Sequence, residues 1–229
     1  MSNIYFISGI DTGAGKTYAT GWLAREWCRG GVRTVTQKPV QTGCVAALLC
    51  NAGVPQERRY TDPHDIIIHR EIMGCGLLPE DHEGLTAPVV LPYPASPHLA
   101  AKLANATIDF AKIDAATRTL AERYDAVLVE GAGGLMVPLT EDYLTIDFIR
   151  ERGYPVIFVT SGKLGSINHT LLSFEALRAR GIRLHTLLFN SYPEGDPVIT
   201  SETERYLRQV IVRDWPGTDF IKIPVIDKS

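Results

Sequence analysis

The sequence is poor in the features that mark several large classes of protein. None of its 229 residues belong to an apolar run near the roughly 18 residues that a transmembrane helix needs, so no membrane span is expected. A net charge of −3 offers no basic surface for nucleic acid or an anionic membrane. The four cysteines lack CxxC spacing and are too sparse for a disulfide framework or a zinc site. No basic segment precedes the first apolar stretch, so we expect a cytoplasmic protein with reduced thiols.

Short apolar segments alternate with helical patterns along most of the chain. With 45% hydrophobic and 21% charged residues, the composition is that of a packed globular protein. Wholly apolar strands between helices indicate an α/β fold, with a mostly parallel central sheet and helices on both faces. The predicted strands cover 4–8, 33–37, 126–129, 156–160, 184–189 and 220–223, and the predicted helices cover 16–29, 101–123, 167–180 and 200–212.

The segment 43–100 departs from this alternation. It is rich in proline and glycine, carries mixed charge and contains one plausible helix at 65–73. We interpret it as an irregular insertion over one edge of a single domain that spans 1–229, rather than as a second domain. The run Asp81-His-Glu83 inside it is expected to be solvated.

A glycine-rich loop directly follows the first predicted strand. It reads Gly9-Ile-Asp-Thr-Gly-Ala-Gly-Lys-Thr17, and a helical pattern begins at its end. Strand, loop and helix in this order bind nucleoside triphosphates, because the N–H groups of the loop and of the helix N-terminus point at the phosphates. Lys16 adds a positive charge, and the Thr17 hydroxyl reaches a Mg²⁺ ion. Since Ile10 stands where the strict pattern has glycine, this is a variant P-loop.

Polar residues also follow the other predicted strands. Ligands of open α/β sheets bind outside the carboxyl ends of the strands, so these residues are expected to meet at one edge. Glu130 comes directly after four apolar residues, where P-loop proteins hold a second Mg²⁺ contact. Lys38 is fixed between a strand end and Pro39, where its charge can stabilise a phosphoryl-transfer transition state. Two further predicted strands are followed by Ser161-Gly-Lys163 and by Asn190, which are expected at the same edge.

Two aspartates precede the predicted helix of the insertion. Asp62 and Asp65 each fit as the N-cap of that helix or as a third Mg²⁺ contact. His64 and His69 are five residues apart and do not share a helix face. No metal site is therefore expected at the two histidines.

Several segments together resemble the dethiobiotin synthetase family. They occur in that family's order and spacing between residue 4 and about residue 190, with a weaker match at Ile223-Pro224. The segments are Gly9-Ile-Asp-Thr-Gly-Ala-Gly-Lys-Thr17, Lys38-Pro-Val-Gln-Thr-Gly43, Pro94-Ala-Ser-Pro-His98, Val129-Glu-Gly-Ala-Gly-Gly134 and Lys163-Leu-Gly-Ser-Ile-Asn-His169.

The resemblance implies the penultimate step of biotin synthesis, with a P-loop NTPase-like fold. In that reaction 7,8-diaminopelargonic acid and CO₂ form a carbamate, ATP phosphorylates it to a mixed anhydride, and the second amine closes the ureido ring. Such chemistry needs charge neutralisation and positioning more than an acid–base pair. Lysines, Mg²⁺ and helix N-termini meet that need, so no catalytic histidine is expected.

The resemblance also implies which residues act. Lys16 and Lys38 are the implied catalytic residues. The implied Mg²⁺ ligands are Thr17, Glu130 and Asp65, with Asp65 preferred to Asp62. The implied nucleotide contacts are Gly13, Ala14, Gly15, Lys16, Thr17, Tyr18, Asp65, Glu130, Gly131, Gly133, Asn190 and Pro224.

The implied substrate site extends over two subunits. Thr12, Lys38 and Thr42 are expected to bind the carbamate or amine end of the substrate. In the family the segment that contains Gly165 and Asn168 reaches across a homodimer and receives the substrate carboxylate of the neighbouring subunit. The expected partners are therefore small molecules and a second copy of this chain, without nucleic acid or membrane.

Two other classes of P-loop protein remain as alternatives. A ParA/MinD-like switch ATPase also has a variant P-loop and dimerises, but it carries an additional lysine early in the loop, where this chain has Ile10 or Asp11. The P-loop amidotransferases of cobalamin synthesis need a separate glutaminase nucleophile. A chain of 229 residues looks too short to contain that second domain.

Overall fold

A computed structural model describes residues 3–44, 63–192 and 195–224 of the chain. Within these ranges the strands are β1 (Ile4–Gly9), β2 (Thr34–Gln37), β3 (Val40–Thr42), β4 (Val89–Leu91), β5 (Ala126–Glu130), β6 (Pro138–Thr140), β7 (Tyr143–Leu144), β8 (Val156–Ser161), β9 (Leu184–Asn190) and β10 (Asp219–Ile223). The helices are α1 (Lys16–Arg29), α2 (His64–Met73), α3 (Pro79–His82), α4 (Pro97–Leu103), α5 (Phe110–Arg123), α6 (Thr145–Arg152), α7 (Ser166–Ala179) and α8 (Pro197–Asp214).

Six strands form one parallel sheet in the order β10-β9-β8-β1-β5-β2. Strand β1 lies at the centre between β5 and β8, so the loop that follows it leaves the middle of the sheet. Parallel strands place all their carboxyl ends on one edge. The predicted α/β fold with a mostly parallel central sheet is therefore confirmed.

Helices cover both faces of the sheet, and successive side chains of a strand point to opposite sides. The central strands are therefore buried on both faces. Phe6 packs into a core shared with α5, α6, α7 and α8, whereas Ile7 packs into a second core against α1. Val127 and Leu128 of β5 divide in the same way. This alternation explains why every residue of β5 is buried and why its sequence shows no polar face.

Several elements differ from the predictions. The single helix expected at 101–123 is two helices, because Asn105 adopts a positive φ of 48° after α4 and ends it. Asp109 then caps α5 by accepting a hydrogen bond from the Lys112 amide at 2.9 Å. Helix α6 and the antiparallel pair β6–β7 were not predicted, because segments of two to eight residues give too little periodicity.

The described part of 43–100 has more regular structure than expected. It contains α2, α3 and β4, and β4 pairs in parallel with β3. The expectation that Asp81-His-Glu83 is solvated is wrong for Asp81, whose carboxylate binds the buried Arg70 guanidinium at 2.8 and 2.9 Å. Burial opposes the charge of Asp81, but Arg70 outweighs it and holds the pKa of that carboxyl below its ordinary value.

Among the helices of the described ranges, none combines the length and the apolar character that spanning a bilayer demands.

Candidate active site

The carboxyl ends of the central strands open into a cavity of about 1110 Å³. The P-loop forms one wall, the end of β5 forms the floor, and the segment 94–97 faces the P-loop from the insertion. The sequence-predicted residues that line this cavity are Thr12, Gly13, Gly15, Lys16, Thr17, Tyr18, Lys38, Thr42, Asp65, Glu130, Gly133 and Asn190.

The P-loop has the conformation that its glycines allow. Gly13 and Gly15 have positive φ angles of 77° and 85°, a region that other residues rarely adopt. Gly15 is the N-cap of α1 and supplies no side-chain cap, so the first N–H groups of the helix remain open to an anion. The Asn190 amide donates to the Ala14 carbonyl at 3.1 Å and fixes the loop against the end of β9.

Lys16 lines the cavity beside the P-loop, and its ammonium group is hydrogen-bonded to the backbone. Its Nζ donates to the Asp11 carbonyl at 2.8 Å. Burial, opposed by the charge of Glu130 and aided by that of Lys38, lowers the pKa of Lys16 to about 8. A triphosphate at this position would supply the negative charge that the buried ammonium lacks.

Lys38 forms the centre of a buried ion cluster. Its Nζ lies 2.7 Å from Glu130 Oε1, 2.7 Å from Asp65 Oδ2 and 3.2 Å from the Gly131 carbonyl. Burial opposes the positive charge, but the two carboxylates outweigh it and hold the pKa of Lys38 above its ordinary value. The predicted proximity of Lys38, Asp65 and Glu130 is therefore present, and three segments distant in the sequence contribute to it.

Glu130 is bound through both carboxylate oxygens. Oε1 accepts from Lys38 and from the Thr17 hydroxyl at 3.0 Å, and Oε2 lies 2.7 Å from His69 Nε2. Burial would raise the pKa of Glu130, but the charge of Lys38 and the hydrogen bond with His69 hold it well below its ordinary value. Glu130 is thus an anion in a site that is almost closed to water.

Sequence reasoning missed His69. It is fully buried on α2, where it follows Asp65 by four residues and so lies on the same helix face. The spacing of five between His64 and His69 was considered, but the spacing of four between Asp65 and His69 was the informative one. Gln41 was also missed, although its Oε1 accepts from the Asp65 amide at 3.2 Å and holds the start of α2.

The cavity floor offers the oxygen ligands that Mg²⁺ prefers. The candidate ligands are the Thr17 hydroxyl, one oxygen of Glu130 and the Asp65 carboxylate. Across the described ranges no three His, Cys, Asp or Glu side chains form a closed metal cage. This fits Mg²⁺ in phosphate sites, which takes one or two carboxylates and completes its shell with phosphate oxygens and water. Asp62, the other aspartate considered, lies outside the described residues.

Five of the site residues implied by the family resemblance do not line the cavity. Ala14 and Gly131 are buried in the loop and strand end behind its wall. The Pro224 carbonyl lies beside the cavity, where it accepts from the Tyr18 hydroxyl at 3.1 Å. Gly165 and Asn168 are exposed at the N-terminus of α7 and do not reach the cavity of their own chain.

The chain is similar to known proteins over nearly its whole length. A family model described as an AAA domain matches residues 3–214. The ATP-dependent dethiobiotin synthetase BioD 2 of Pasteurella multocida (strain Pm70) is 47% identical over 220 residues, which cover 96% of this chain and 96% of that protein. The protein of the same name from Haemophilus influenzae is 48% identical over 88% of this chain and 98% of its own length.

Solved structures are also similar to this chain, at lower sequence identity. The septum site-determining protein MinD complexed with Mg-ADP, from Pyrococcus horikoshii OT3, aligns with a TM-score of 0.46 and 19% identity. The alignment covers 87% of this chain and 77% of that one, and a likeness of this size carries no functional conclusion. The identity to the two dethiobiotin synthetases, together with the near-complete coverage, shows that this chain belongs to the dethiobiotin synthetase family.

Proposed function

We propose that this protein is an ATP- and Mg²⁺-dependent cyclo-ligase that converts 7,8-diaminopelargonic acid and CO₂ into dethiobiotin. One amine of the substrate adds to CO₂ and forms a carbamate. A carbamate oxygen attacks the γ-phosphorus of ATP, ADP leaves, and a carbamic-phosphoric mixed anhydride results. The second amine attacks the carbonyl carbon of the anhydride, the ureido ring closes, and phosphate leaves.

The observation that carries the proposal is the buried cluster around Lys38. Its ammonium lies in the floor of the same cavity as the P-loop and is held by Glu130 and Asp65 at 2.7 Å each. A cation fixed in this way is preorganised for the negative charge that develops as the phosphoryl group is transferred. Membership of the dethiobiotin synthetase family supports the carbamate as the group that receives the phosphoryl.

The nucleotide is proposed to bind along the P-loop. Residues 13–17 would wrap the phosphates at the N-terminus of α1, and Lys16 would supply a buried charge beside them. Tyr18, Asn190 and the carbonyl of Pro224 form the end of the site expected to face the base. ATP is the co-substrate that the family name requires.

Thr17, Glu130 and Asp65 would hold the Mg²⁺ ion. When bound, the ion supplies positive charge that screens the triphosphate and helps to align it for in-line transfer. The protein's own task is to hold both carboxylates in the correct orientation. Lys38 does this for Asp65 and for one oxygen of Glu130.

The carbamate end of the substrate is proposed to bind between the P-loop and β3. Thr12 and Thr42 line that part of the cavity, and Lys38 lies at its floor. Their hydroxyl and ammonium groups can donate to carbamate oxygens, and they hold the reacting atoms in place. No dedicated acid–base pair is required, because the first amine loses its proton to solvent as the carbamate forms, and the second amine can lose its proton to the departing phosphate.

The carboxylate end is proposed to bind a second subunit. Gly165 has a positive φ of 93° and opens the N-terminus of α7, and both it and Asn168 are exposed. Leu164 and Leu172 beside them are 79% and 62% exposed, which suits burial against another copy of the chain. The proposal is therefore a cytoplasmic homodimer of single-domain subunits, with each site completed by its neighbour.

Phosphate release should require every substrate at once. We expect the purified protein to release phosphate from ATP only when diaminopelargonate, bicarbonate and Mg²⁺ are all present, with dethiobiotin identified by mass. The controls omit one component at a time. Equal ATP turnover without the diamine would contradict the proposal and favour a switch ATPase.

Mixed dimers test the shared site. Asn168→Ala should raise the KM for diaminopelargonate about tenfold, since it removes one hydrogen bond to a carboxylate. At a diamine concentration well below the KM, where Asn168→Ala dimers contribute little, a 1:1 mixture of Lys38→Ala and Asn168→Ala chains should regain about a quarter of wild-type activity, because half of the dimers then contain one intact site. Lys38→Ala mixed with Lys16→Ala is the matched control and should regain nothing, since both residues belong to the same subunit's site. Equal recovery in the two mixtures would exclude the shared site.

A further inference from the structure

His69 has a defined set of partners that the proposed reaction does not use. Its ring is fully buried, with Nε2 at 2.7 Å from Glu130 Oε2 and Nδ1 at 3.0 Å from Thr36 Oγ1. Thr36 in turn is bound by Arg70, and Arg70 by Asp81, so the contacts form a continuous line behind the cavity floor. None of Thr36, His69 and Arg70 lines the cavity, and therefore none is placed to touch a substrate.

The hydrogens along this line can be assigned one by one. Arg70 NH1 can only donate, so Thr36 Oγ1 accepts from it at 2.9 Å. The Thr36 hydroxyl hydrogen is then available for His69 Nδ1. Glu130 is paired with the Lys38 ammonium at 2.7 Å and accepts from it, so the hydrogen between Glu130 and His69 belongs to Nε2. Thr36 Oγ1, fixed by Arg70, is the partner of Nδ1 and holds the ring in this orientation.

Asp81 fixes the far end of the line. Both of its carboxylate oxygens accept hydrogen bonds from the Arg70 guanidinium, and they also accept from the Thr86 hydroxyl and the Leu78 amide at 2.7 Å each. A guanidinium bound by a bidentate carboxylate has little freedom to rotate. The direction in which Arg70 donates to Thr36 is therefore set by buried structure and not by solvent.

These hydrogen-bonded contacts act on the orientation of the Glu130 carboxylate. The terminal torsion of a glutamate is broad, so the carboxylate turns freely unless both oxygens are bound. Lys38 and Thr17 both bind Oε1, and among the described residues His69 is the hydrogen-bond partner recorded for Oε2. With one oxygen held by Lys38 and Thr17 and the other by His69, the plane of the Glu130 carboxylate is fixed.

The position of His69 depends on a close helix contact. A Cβ added at Gly21 of α1 would lie 3.0 Å from Ile72 Cβ and 3.2 Å from His69 Cα. Glycine at this position lets α2 approach α1, and α2 carries Asp65 and His69 one turn apart. The same helix therefore supplies a carboxylate to the cluster and the group that orients the other carboxylate.

We propose that His69 is a positioning residue, which the Asp81–Arg70–Thr36 line holds as an Nε2–H donor so that the Glu130 carboxylate is fixed in the plane that directs its other oxygen to Lys38 and to the metal. The inference rests on the proposed function for its kinetic consequence, whereas the hydrogen assignment depends only on the protein. Residues that orient a metal-binding carboxylate typically change metal affinity or activity 10- to 100-fold when they are replaced, about the range expected here.

Two variants separate hydrogen bonding from volume. His69→Leu fills the space without a donor, whereas His69→Gln offers an amide N–H to Glu130 and a carbonyl to Thr36. We expect His69→Leu to lower kcat about 10- to 100-fold with little change in the KM for the diamine, and to raise about tenfold the Mg²⁺ concentration that supports half-maximal ATP binding. His69→Gln should stay near wild type in both measurements. His82→Gln, at an exposed histidine of α3, is the matched control.

A spectroscopic measurement on the unmodified chain avoids any failure of a variant to fold. In protein with ¹⁵N-labelled histidine, with the His69 signals assigned from their loss in His69→Gln, we expect a protonated Nε2. A hydrogen on Nδ1 instead would overturn the proposal, as would His69→Leu with wild-type kcat and Mg²⁺ dependence, or a folded His69→Gln as impaired as His69→Leu. If the wild-type protein forms no dethiobiotin, the proposed function fails, and the ¹⁵N and ATP-binding measurements still decide the role of His69.

Discussion

Lys38→Ala is expected to lower kcat roughly 10²–10³-fold at saturating substrates, the size of effect that follows the loss of one preorganised electrostatic group. The reason is the position of the Nζ atom, which lies 2.7 Å from a carboxylate oxygen of both Glu130 and Asp65 at the cavity floor. No other lysine of the described residues is bound to Glu130. The proposed ATP contacts lie along the P-loop and not at Lys38, so the Kd for ATP should change by less than about threefold.

The same change should also destabilise the nucleotide-free protein. Removing one partner of a buried ion pair leaves an uncompensated charge and costs about 3–5 kcal/mol of unfolding free energy. Here two carboxylates lose their shared cation, and each is mostly buried. Since the Kd for ATP is expected to change by less than about threefold, the loss of stability should be the same in the loaded protein to within about 0.7 kcal/mol.

Steady-state kinetics, equilibrium ATP binding and thermal unfolding together check this prediction. Lys102→Ala is the control, because that side chain is 73% exposed and its nearest carboxylate is 4.0 Å away. Lys38→Arg is expected to fail as a rescue, since a planar guanidinium does not fit a space closed around an ammonium. A Lys38→Ala protein that binds ATP poorly but turns over normally at saturation would refute the assigned role.

The sequence was sufficient for the sheet and for the cluster of charged groups because both depend on local signals. Apolar runs such as 126–129 are long enough to identify buried strands, and parallel strands bring their following residues to one edge. Glu130 and Lys38 were found in this way, each from its own strand end. Their 2.7 Å contact follows from the pairing of β2 with β5.

What the sequence did not reveal depends on contacts between distant segments. His69 was overlooked because its meaning comes from Thr36 and Glu130, which lie 33 and 61 residues away. Asp81 was judged solvated because the run around it is polar, and only the buried Arg70 gives it a partner. The mixed apolar and charged sequence of helix α2 carries one sign of the functional face, the spacing of four between Asp65 and His69, but that spacing alone does not identify their partners.

Gly15→Ala is expected to weaken ATP binding more than about 100-fold. A residue with a Cβ is strained by roughly 1–2 kcal/mol at a left-handed φ, and Gly15 has a φ of 85°. Its added Cβ would also lie 2.1 Å from the Asn190 amide nitrogen, so one of the two must move. That amide is the group that holds the Ala14 carbonyl, so the loop N–H groups lose their alignment toward the phosphates.

Gly13→Ala separates strain from steric conflict, because the two glycines share the conformation but not the surroundings. Gly13 has a φ of 77°, and a Cβ there would meet nothing within 4 Å. In the nucleotide-free protein Gly13→Ala should therefore cost only the strain of about 1–2 kcal/mol, and Gly15→Ala clearly more. Thermal or urea unfolding without nucleotide measures both.

A second substitution tests where the extra cost arises. Asn190→Ala removes the atom that the Gly15→Ala methyl would meet, so the double variant should be more stable than the sum of the two single losses requires. The coupling should vanish for Gly13→Ala with Asn190→Ala, since no contact joins those positions. Strict additivity in both pairs would mean that the loop does not depend on Asn190. A coupling confined to the Gly15 pair would instead establish that the end of β9 sets the shape of the P-loop.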